Sequence, residues 1–298
     1  MILKEVLDKT TKFFHEKKIS QPRLEAEILL SNALHFSSRV ELYLKFDLPM
    51  NEEDLNKCRE LVRRRATGEP VAYLIGEKPF FKSTFKVGPG VLIPRPETEL
   101  LVEYALNWIQ KKSITAPKIL DLGSGSGCIG LSLLKELPQA TLHSVDISIK
   151  AQEWTLLNAH DLNLQDRINF HNMDAQKFLS DPAVYLKDAT ETFDLIVSNP
   201  PYIGESDPMI QAEVKKFEPS EALFAKDDGM FFIKNWSYLI ANNFSGYLNK
   251  QNLVIFEMGM SQGNLARDCF ESLQFFDKVF VEKDLAGLDR FIVGEKNG

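Results

Sequence analysis

The sequence predicts an α/β fold, a doubly wound and mostly parallel sheet of seven strands preceded by a small helical domain. Three observations carry that expectation. From Lys118 onward, short apolar runs alternate with helical patterns, as parallel strands joined by crossover helices require. Gly123, Gly125 and Gly127 stand between the first such run and the helical pattern after it, where a doubly wound sheet turns its chain beside a ligand. Residues 1 to about 75 show no strand pattern, only apolar residues near helical spacing.

The helices follow in order. Leu3, Val6, Leu7, Phe13 and Phe14 mark one apolar face. Pro22 opens a second helix, where the N–H that proline lacks has no partner anyway. A further helix is expected from Glu52 to Arg65. Its Lys57, Arg59, Arg63, Arg64 and Arg65 form either a basic patch for an acidic or RNA-associated partner or a solvated face, the commoner outcome for a charge run. Residues 1–75 are thus expected as one helical domain, and 76–93 as a hairpin linker. There Phe80-Phe81 and Phe85-Lys86-Val87 flank a turn at Ser83-Thr84, and Gly88-Pro89-Gly90 turns again. In Ile93-Pro94-Arg95-Pro96-Glu97-Thr98-Glu99 two prolines stiffen an extended segment before acids open a helix at Glu97. Residues 94–298 form the third part, with strands expected at 118–122, 141–146, 168–173, 193–198, 251–257, 277–282 and 289–295. A ligand belongs at the carboxyl ends of such strands.

The glycine stretch reads Asp121-Leu122-Gly123-Ser124-Gly125-Ser126-Gly127-Cys128. Alone it can be plain strand-to-helix punctuation. Asp146, however, closes the next strand about 20 residues on, where such folds place a ribose-binding acid. The bland alternative is a solvated carboxylate in a strand-end loop. A dinucleotide site wants G-x-G-x-x-G, with a helix N-terminus against a pyrophosphate. Here the glycines sit one residue closer, and the stretch is similar to the D-x-G-x-G-x-G signature of S-adenosylmethionine-dependent methyltransferases. That cofactor has no phosphate, and tight backbone turns can contact its amino-acid end.

Asn199-Pro200-Pro201-Tyr202 follows the apolar run 193–198. Neither proline has an N–H, so the ladder ends and the carbonyls of Asn199 and Pro200 lose their ladder partners. With the Asn199 side-chain oxygen they converge beside the Tyr202 ring, a set of acceptors that suits a planar, uncharged NH2 group. By itself the segment also reads as a strand terminator.

With 298 residues, 44% of them apolar, the chain can bury the cores of two domains. A net charge of −7 argues against a protein that grips nucleic acid across a broad face, so no direct sequence-specific nucleic-acid binding is expected. Cys58, Cys128 and Cys269 are isolated, which fits reduced thiols in the cytoplasm and offers no metal-ligand spacing. Cys128, beside the glycines, reads as a small packing residue before a reactive thiol. Neither a signal peptide nor a membrane-length apolar run is evident. The expectation is a cytoplasmic monomer without membrane contact.

Taken together, the chain resembles the peptide chain release factor glutamine methyltransferases, the PrmC/HemK family, over nearly its full length. The resemblance rests on Gly68-Glu69-Pro70-Val71-Ala72-Tyr73, Ile93-Pro94-Arg95-Pro96-Glu97-Thr98-Glu99, the glycine stretch and Asn199-Pro200-Pro201-Tyr202-Ile203. Weaker matches follow at Glu218-Pro219-Ser220-Glu221-Ala222-Leu223, Glu257-Met258-Gly259 and Asp284-Leu285-Ala286-Gly287. It implies a Rossmann-like S-adenosylmethionine-dependent methyltransferase domain with a helical N-terminal domain that helps recognise the substrate. It implies methylation of the glutamine side-chain amide in the Gly-Gly-Gln loop of release factors. Gly123, Ser124, Gly125, Ser126, Gly127, Asp146, Asp174 and Asn199 would hold the cofactor, and Asn199, Pro200, Pro201 and Tyr202 the substrate amide. Ala175 departs from the tryptophan that often follows the acid equivalent to Asp174 near the adenine.

The chemistry agrees. A primary amide nitrogen is a poor nucleophile, because its lone pair is delocalised into the carbonyl. Two in-plane acceptors, Asn199 Oδ1 and the Pro200 carbonyl, would hold its N–H bonds, aim the lone pair and stabilise the positive charge that nitrogen gains. Tyr202 would pack on the amide plane. A ribosomal protein glutamine, or less readily a DNA adenine, presents a similar NH2 group, and a cofactor-binding protein without catalysis is the alternative from another class. Pro94-Arg95-Pro96-Glu97-Thr98-Glu99 favours the release factor reading over the ribosomal one, and the acidic balance disfavours DNA.

Overall fold

A computed structural model describes residues 1–186, 188, 190–205 and 212–298. In chain order it contains helices α1 (Leu3–Glu16), α2 (Pro22–Ala33), α3 (Arg39–Leu44), α4 (Glu52–Ala66) and α5 (Val71–Ile75), then strands β1 (Glu77–Phe80) and β2 (Ser83–Lys86). α6 (Glu99–Lys111), β3 (Lys118–Leu122), α7 (Cys128–Glu136), β4 (Thr141–Asp146), α8 (Ile149–Asp161), β5 (Ile168–Asn172), α9 (Ala175–Ser180), α10 (Pro182–Tyr185) and β6 (Phe193–Ser198) follow. The chain ends with β7 (Ile203–Gly204), α11 (Ala212–Phe217), β8 (Phe224–Ala225), α12 (Phe231–Asn242), β9 (Leu248–Glu257), α13 (Gly263–Ser272), β10 (Lys278–Lys283) and β11 (Asp289–Asn297). Two compact units result. One holds Met1–Glu77 and α11, and the other holds the remaining described residues from Lys78 onward.

In the first unit Leu3, Val6, Leu7 and Phe14 of α1 pack on Ala26, Leu29, Leu30 and Ala33 of α2, with Leu42, Leu55 and Cys58 completing the core. Pro22 is the first residue of α2, and Asn51 caps α4 by accepting the Asp54 N–H at 2.8 Å. The cations of α4 do not form a free basic patch. Lys57 pairs with Glu53, Arg59 with Glu52, Arg63 with Glu60, and Arg64 with Glu69. Arg65 is buried between Glu25 and, through Nη1 at 3.1 Å, Glu213 of α11. The solvated or paired face therefore describes this run, because each of these cations has an acid within ion-pair reach.

In the second unit the hairpin turns at Phe81-Lys82, two residues before the expected Ser83-Thr84, and Phe81 has φ +52°. Burial sets this register: Phe80 and Phe85 both enter the core and meet edge to face at 6.0 Å, which places Ser83 and Thr84 inside β2. A 3-10 turn, Pro96–Thr98, precedes α6, so the helix proper starts at Glu99 and not at Glu97.

The seven-stranded sheet has the order β10-β11-β9-β6-β3-β4-β5. β11 runs antiparallel to both neighbours, and β9, β6, β3, β4 and β5 pair in parallel. Alternation along the strands builds two cores. Ile119, Leu195, Val197, Leu253 and Ile255 face one layer of helices, and Leu120, Leu122, Ile196, Val254 and Phe256 face the other. β9 starts earlier than expected and β11 ends later, where polar strand ends keep pairing beyond the apolar run that marks them in the sequence.

Candidate active site

β3 and β6 lie side by side, with Leu122 paired to Ser198, and the chain leaves them toward opposite edges of the sheet. A crevice opens at such a switch point. It is a cavity of about 350 Å³ whose lining includes Gly123 to Ser126, Asp146, Asp174, Asn199, Pro201 and Trp236. Of the residues expected to form the site, Gly127, Pro200 and Tyr202 do not line it.

Gly123, Gly125 and Gly127 all take left-handed backbone, with φ of +69°, +58° and +78°. Side chains disfavour that region, which explains the alternate glycines. A Cβ at Gly125 would meet nothing within 4 Å among the described residues, so a ligand can approach this backbone closely. Asp146 fixes the loop: Oδ2 accepts the Gly125 N–H and Oδ1 the Ser148 N–H, each at 2.9 Å. Burial raises its carboxyl above the ordinary range, and the two N–H groups oppose the rise. Asp121 Oδ2 accepts the Gly130 N–H at 3.1 Å at the start of α7, and burial pushes this carboxyl up to about 7. Asp174 caps α9, accepting the Gln176 N–H at 2.8 Å.

S-adenosylmethionine fits this cavity on two observations. Ser124 Oγ is buried without a hydrogen-bond partner among the described residues, and its residue lines the cavity beside open backbone at Gly125, as a polar amino-acid end requires. Val145, Ile147, Ala175, Phe231, Phe232 and Trp236 supply apolar wall for a purine. Ala175 leaves no aromatic ring after Asp174. Cys128 is a buried packing residue whose thiol is pushed up to about 12 by burial.

At the end of β6 a hydrogen-bonded chain runs inward from the cavity. Asn199 Nδ2 donates to Thr98 Oγ1 at 3.2 Å, and Thr98 donates to Glu257 Oε2 at 2.6 Å. The Tyr202 hydroxyl donates to Glu257 Oε1 at 3.1 Å. Gln262 Nε2 donates to the Tyr202 carbonyl at 2.9 Å and to the Asp228 carbonyl at 3.0 Å. Among the described residues nothing donates to Asn199 Oδ1 or to the Pro200 carbonyl. Burial first, then the adjoining Glu257 carboxylate, holds the Tyr202 phenol far above its ordinary range, so it stays a donor. Burial pushes Glu257 itself up to about 7, against the bonds from Thr98 and Tyr202 and the charge of Arg290.

Sequence reasoning assigns no role to Thr98, Glu257, Gln262 or Glu218. Glu218 is buried, accepting the Ile93 N–H at 3.0 Å and pairing with Arg95 at 2.6 Å, so it braces the proline segment along the cavity. The signal available was the presence of three of the four in segments shared with the resembled family. Nothing local says that Glu257 of β9 meets Thr98, 159 positions earlier in the chain.

Residues 5–76 match the PrmC N-terminal domain family, and residues 97–236 match the methyltransferase small domain. The chain is 36% identical over 294 residues to a release factor glutamine methyltransferase of Rhodopirellula baltica, covering 98% of this chain and 95% of that one. It is 38% identical to the enzyme of that name from Geobacter sulfurreducens, covering 98% and 96%. The N-terminal domain of human METTL16, solved in complex with SAH, shares the fold, with a TM-score of 0.51 and 18% identity over 73% of this chain and 77% of that one. Full-length identity at this level, on the cavity and strand-end turn described, shows that the chain belongs to the S-adenosylmethionine-dependent release factor glutamine methyltransferases.

Proposed function

We propose that this enzyme methylates the side-chain amide nitrogen of the glutamine in the Gly-Gly-Gln loop of peptide chain release factors. The observation that carries the reading is the Asn199 side chain, whose Nδ2 is held by Thr98 while no donor among the described residues reaches Oδ1 at the cavity. Asn199 Oδ1 and the Pro200 carbonyl accept the two N–H groups of the substrate amide. Those bonds orient the nitrogen and strengthen as it becomes positive, so they favour the transition state over the ground state. Bound in the cavity, S-adenosylmethionine supplies an electrophilic methyl group on a sulfonium centre. The glycine loop and Ser124 hold its amino-acid end, Asp146 and Asp174 its ribose side, and the Trp236 wall its apolar faces. The alkylated amide is acidic and loses its proton to water, so no dedicated base is assigned.

Residues 1–75 recognise the folded release factor, 76–93 link, and 94–298 carry the chemistry. The family match over residues 5–76 supports that division, as does α3, which leaves Val40, Tyr43 and Leu44 exposed. The enzyme acts in translation termination, in the cytoplasm where its substrates work. Among the described residues no helix is long and apolar enough to cross a membrane. The test is mass spectrometry of a release factor after incubation with the enzyme and labelled S-adenosylmethionine. One added methyl on the Gly-Gly-Gln glutamine is expected, and label found only on ribosomal protein or DNA overturns the reading.

A further inference from the structure

We propose that Thr98 and Glu257 act as positioning residues that fix which end of the Asn199 side-chain amide faces the substrate, and that they do so only while Glu257 is a carboxylate. The proposal rests on the amide-methylation reading above. An asparagine amide has nearly the same shape either way round, so sterics alone do not decide whether oxygen or NH2 points outward. Proton accounting does. The Thr98 hydroxyl has one hydrogen, and at 2.6 Å it is committed to Glu257 Oε2. Its oxygen can then only accept, so Asn199 must turn its NH2 group inward, where Nδ2 lies 3.2 Å away. Oδ1 is thereby left for the N–H of an incoming amide. Tyr202, the other donor to Glu257, commits its single hydrogen to Oε1, which leaves the carboxylate two accepted bonds and no proton to give.

Protonating Glu257 reverses the logic. A protonated carboxyl donates to Thr98, the Thr98 hydrogen becomes free to donate to Asn199, and Asn199 turns Oδ1 inward. An NH2 group then faces the substrate NH2, donor against donor, and the amide is no longer held. No bond to carbon changes in this switch; a proton is taken from solvent and one side chain rotates.

The surroundings place the switch within reach. Glu257 is buried at the end of β9, with Phe256 paired to Ser198 and Glu257 itself to Phe291. The charged and titratable groups facing it are Arg290 of β11, which favours the carboxylate, Glu97 of the 3-10 turn, which opposes it, and the Tyr202 phenol. The Cys128 thiol of α7 also feels it and stays neutral. Burial outweighs the two donors and Arg290, leaving the carboxyl at about 7.

The test uses the full chain with a release factor and labelled S-adenosylmethionine. Glu257→Gln and Thr98→Val should each lower kcat by about thirtyfold or more, while calorimetric affinity for S-adenosylhomocysteine changes less than about threefold. Thr98→Ser should recover most of the rate lost in Thr98→Val, because only the hydroxyl is needed. In the unmodified enzyme kcat should rise with pH through about 7, and in Glu257→Gln it should not. Variants that transfer methyl at the unmodified rate overturn the proposal. If they fail to fold, the Asn199 side-chain NH2 signals of the ligand-free, unmodified protein decide by NMR. A shift between about pH 5.5 and 8.5 supports the switch, and signals that stay fixed across that range overturn it. An unmodified enzyme that leaves the factor unmethylated overturns the functional reading alone, since the NMR titration still judges the relay.

Discussion

At the scale of single residues, the roles proposed for Asn199 and Asp146 can be tested separately. Asn199→Ala removes one oriented acceptor and should cut single-turnover methyl transfer by about a hundredfold or more, with S-adenosylhomocysteine affinity largely kept. A rate near that of the unmodified enzyme would remove Asn199 from the mechanism. Both carboxylate oxygens of Asp146 hold backbone N–H groups of the loop, beside the ribose contact proposed for it. Asp146→Ala should weaken S-adenosylmethionine binding by about 1.5–3 kcal/mol, measured by titration calorimetry, through loss of ribose contacts and of loop order together. Glu257 also links pH to stability. The folded protein keeps its proton up to about pH 7, while the unfolded chain releases it near 4.5. Proton release therefore favours unfolding across that window, and this carboxyl makes the fold less stable as pH rises from about 4.5 to 7. Glu257→Gln lacks that loss, so thermal unfolding at a series of pH values should show it gaining on the unmodified protein over the same range. A constant difference in midpoint would contradict a raised Glu257.

At the scale of elements, the Asn-Pro-Pro-Tyr turn is held by a second turn that is itself tight. Asp227, Asp228 and Gly229 are consecutive residues with φ of +58°, +49° and +86°. A Cβ at Gly229 would lie 2.0 Å from the Tyr202 carbonyl oxygen and 2.5 Å from Gln262 Nε2, so something must move. Gly229→Ala should displace the Asn-Pro-Pro-Tyr turn and lower both the thermal midpoint and the rate. Gly76→Ala is the control. Gly76 has φ +78° but open space around a Cβ, so only left-handed strain of about 1–2 kcal/mol is expected, without loss of activity. Equal effects of the two substitutions on rate would show that the Tyr202 contact does not matter. Strand and helix positions were largely legible, because Ile119, Leu195 and Ile255 belong to runs buried on both faces. The hairpin turn was not, because Phe80 and Phe85 had to reach one core together, and that demand is not written in Phe81-Lys82.

At the scale of the whole molecule, every residue lining the cavity lies at Gly90 or beyond. Deleting residues 1–75 should therefore spare S-adenosylhomocysteine binding while methylation of an intact release factor falls steeply. A short Gly-Gly-Gln peptide should be a poor substrate for both forms, since it lacks the remote contacts that orient the amide. Thermal unfolding must first show that the truncated chain is folded, because α11 loses its partner Arg65. A folded truncation that methylates the intact factor as fast as the full chain would reduce the N-terminal helices to scaffolding. The sequence by itself determined the fold class, the cofactor and the place of the Asn-Pro-Pro-Tyr turn, because each is written in contiguous residues: alternating apolar runs, glycines at alternate positions, two prolines ending a buried strand. Only the tertiary structure decided how that turn is held. Thr98, Gly229 and the Glu257-to-Gln262 stretch come from three separate segments. Their roles arise where the parallel register of β6 and β9 sets the end of one strand beside the end of the other, and no local pattern of residues encodes that meeting.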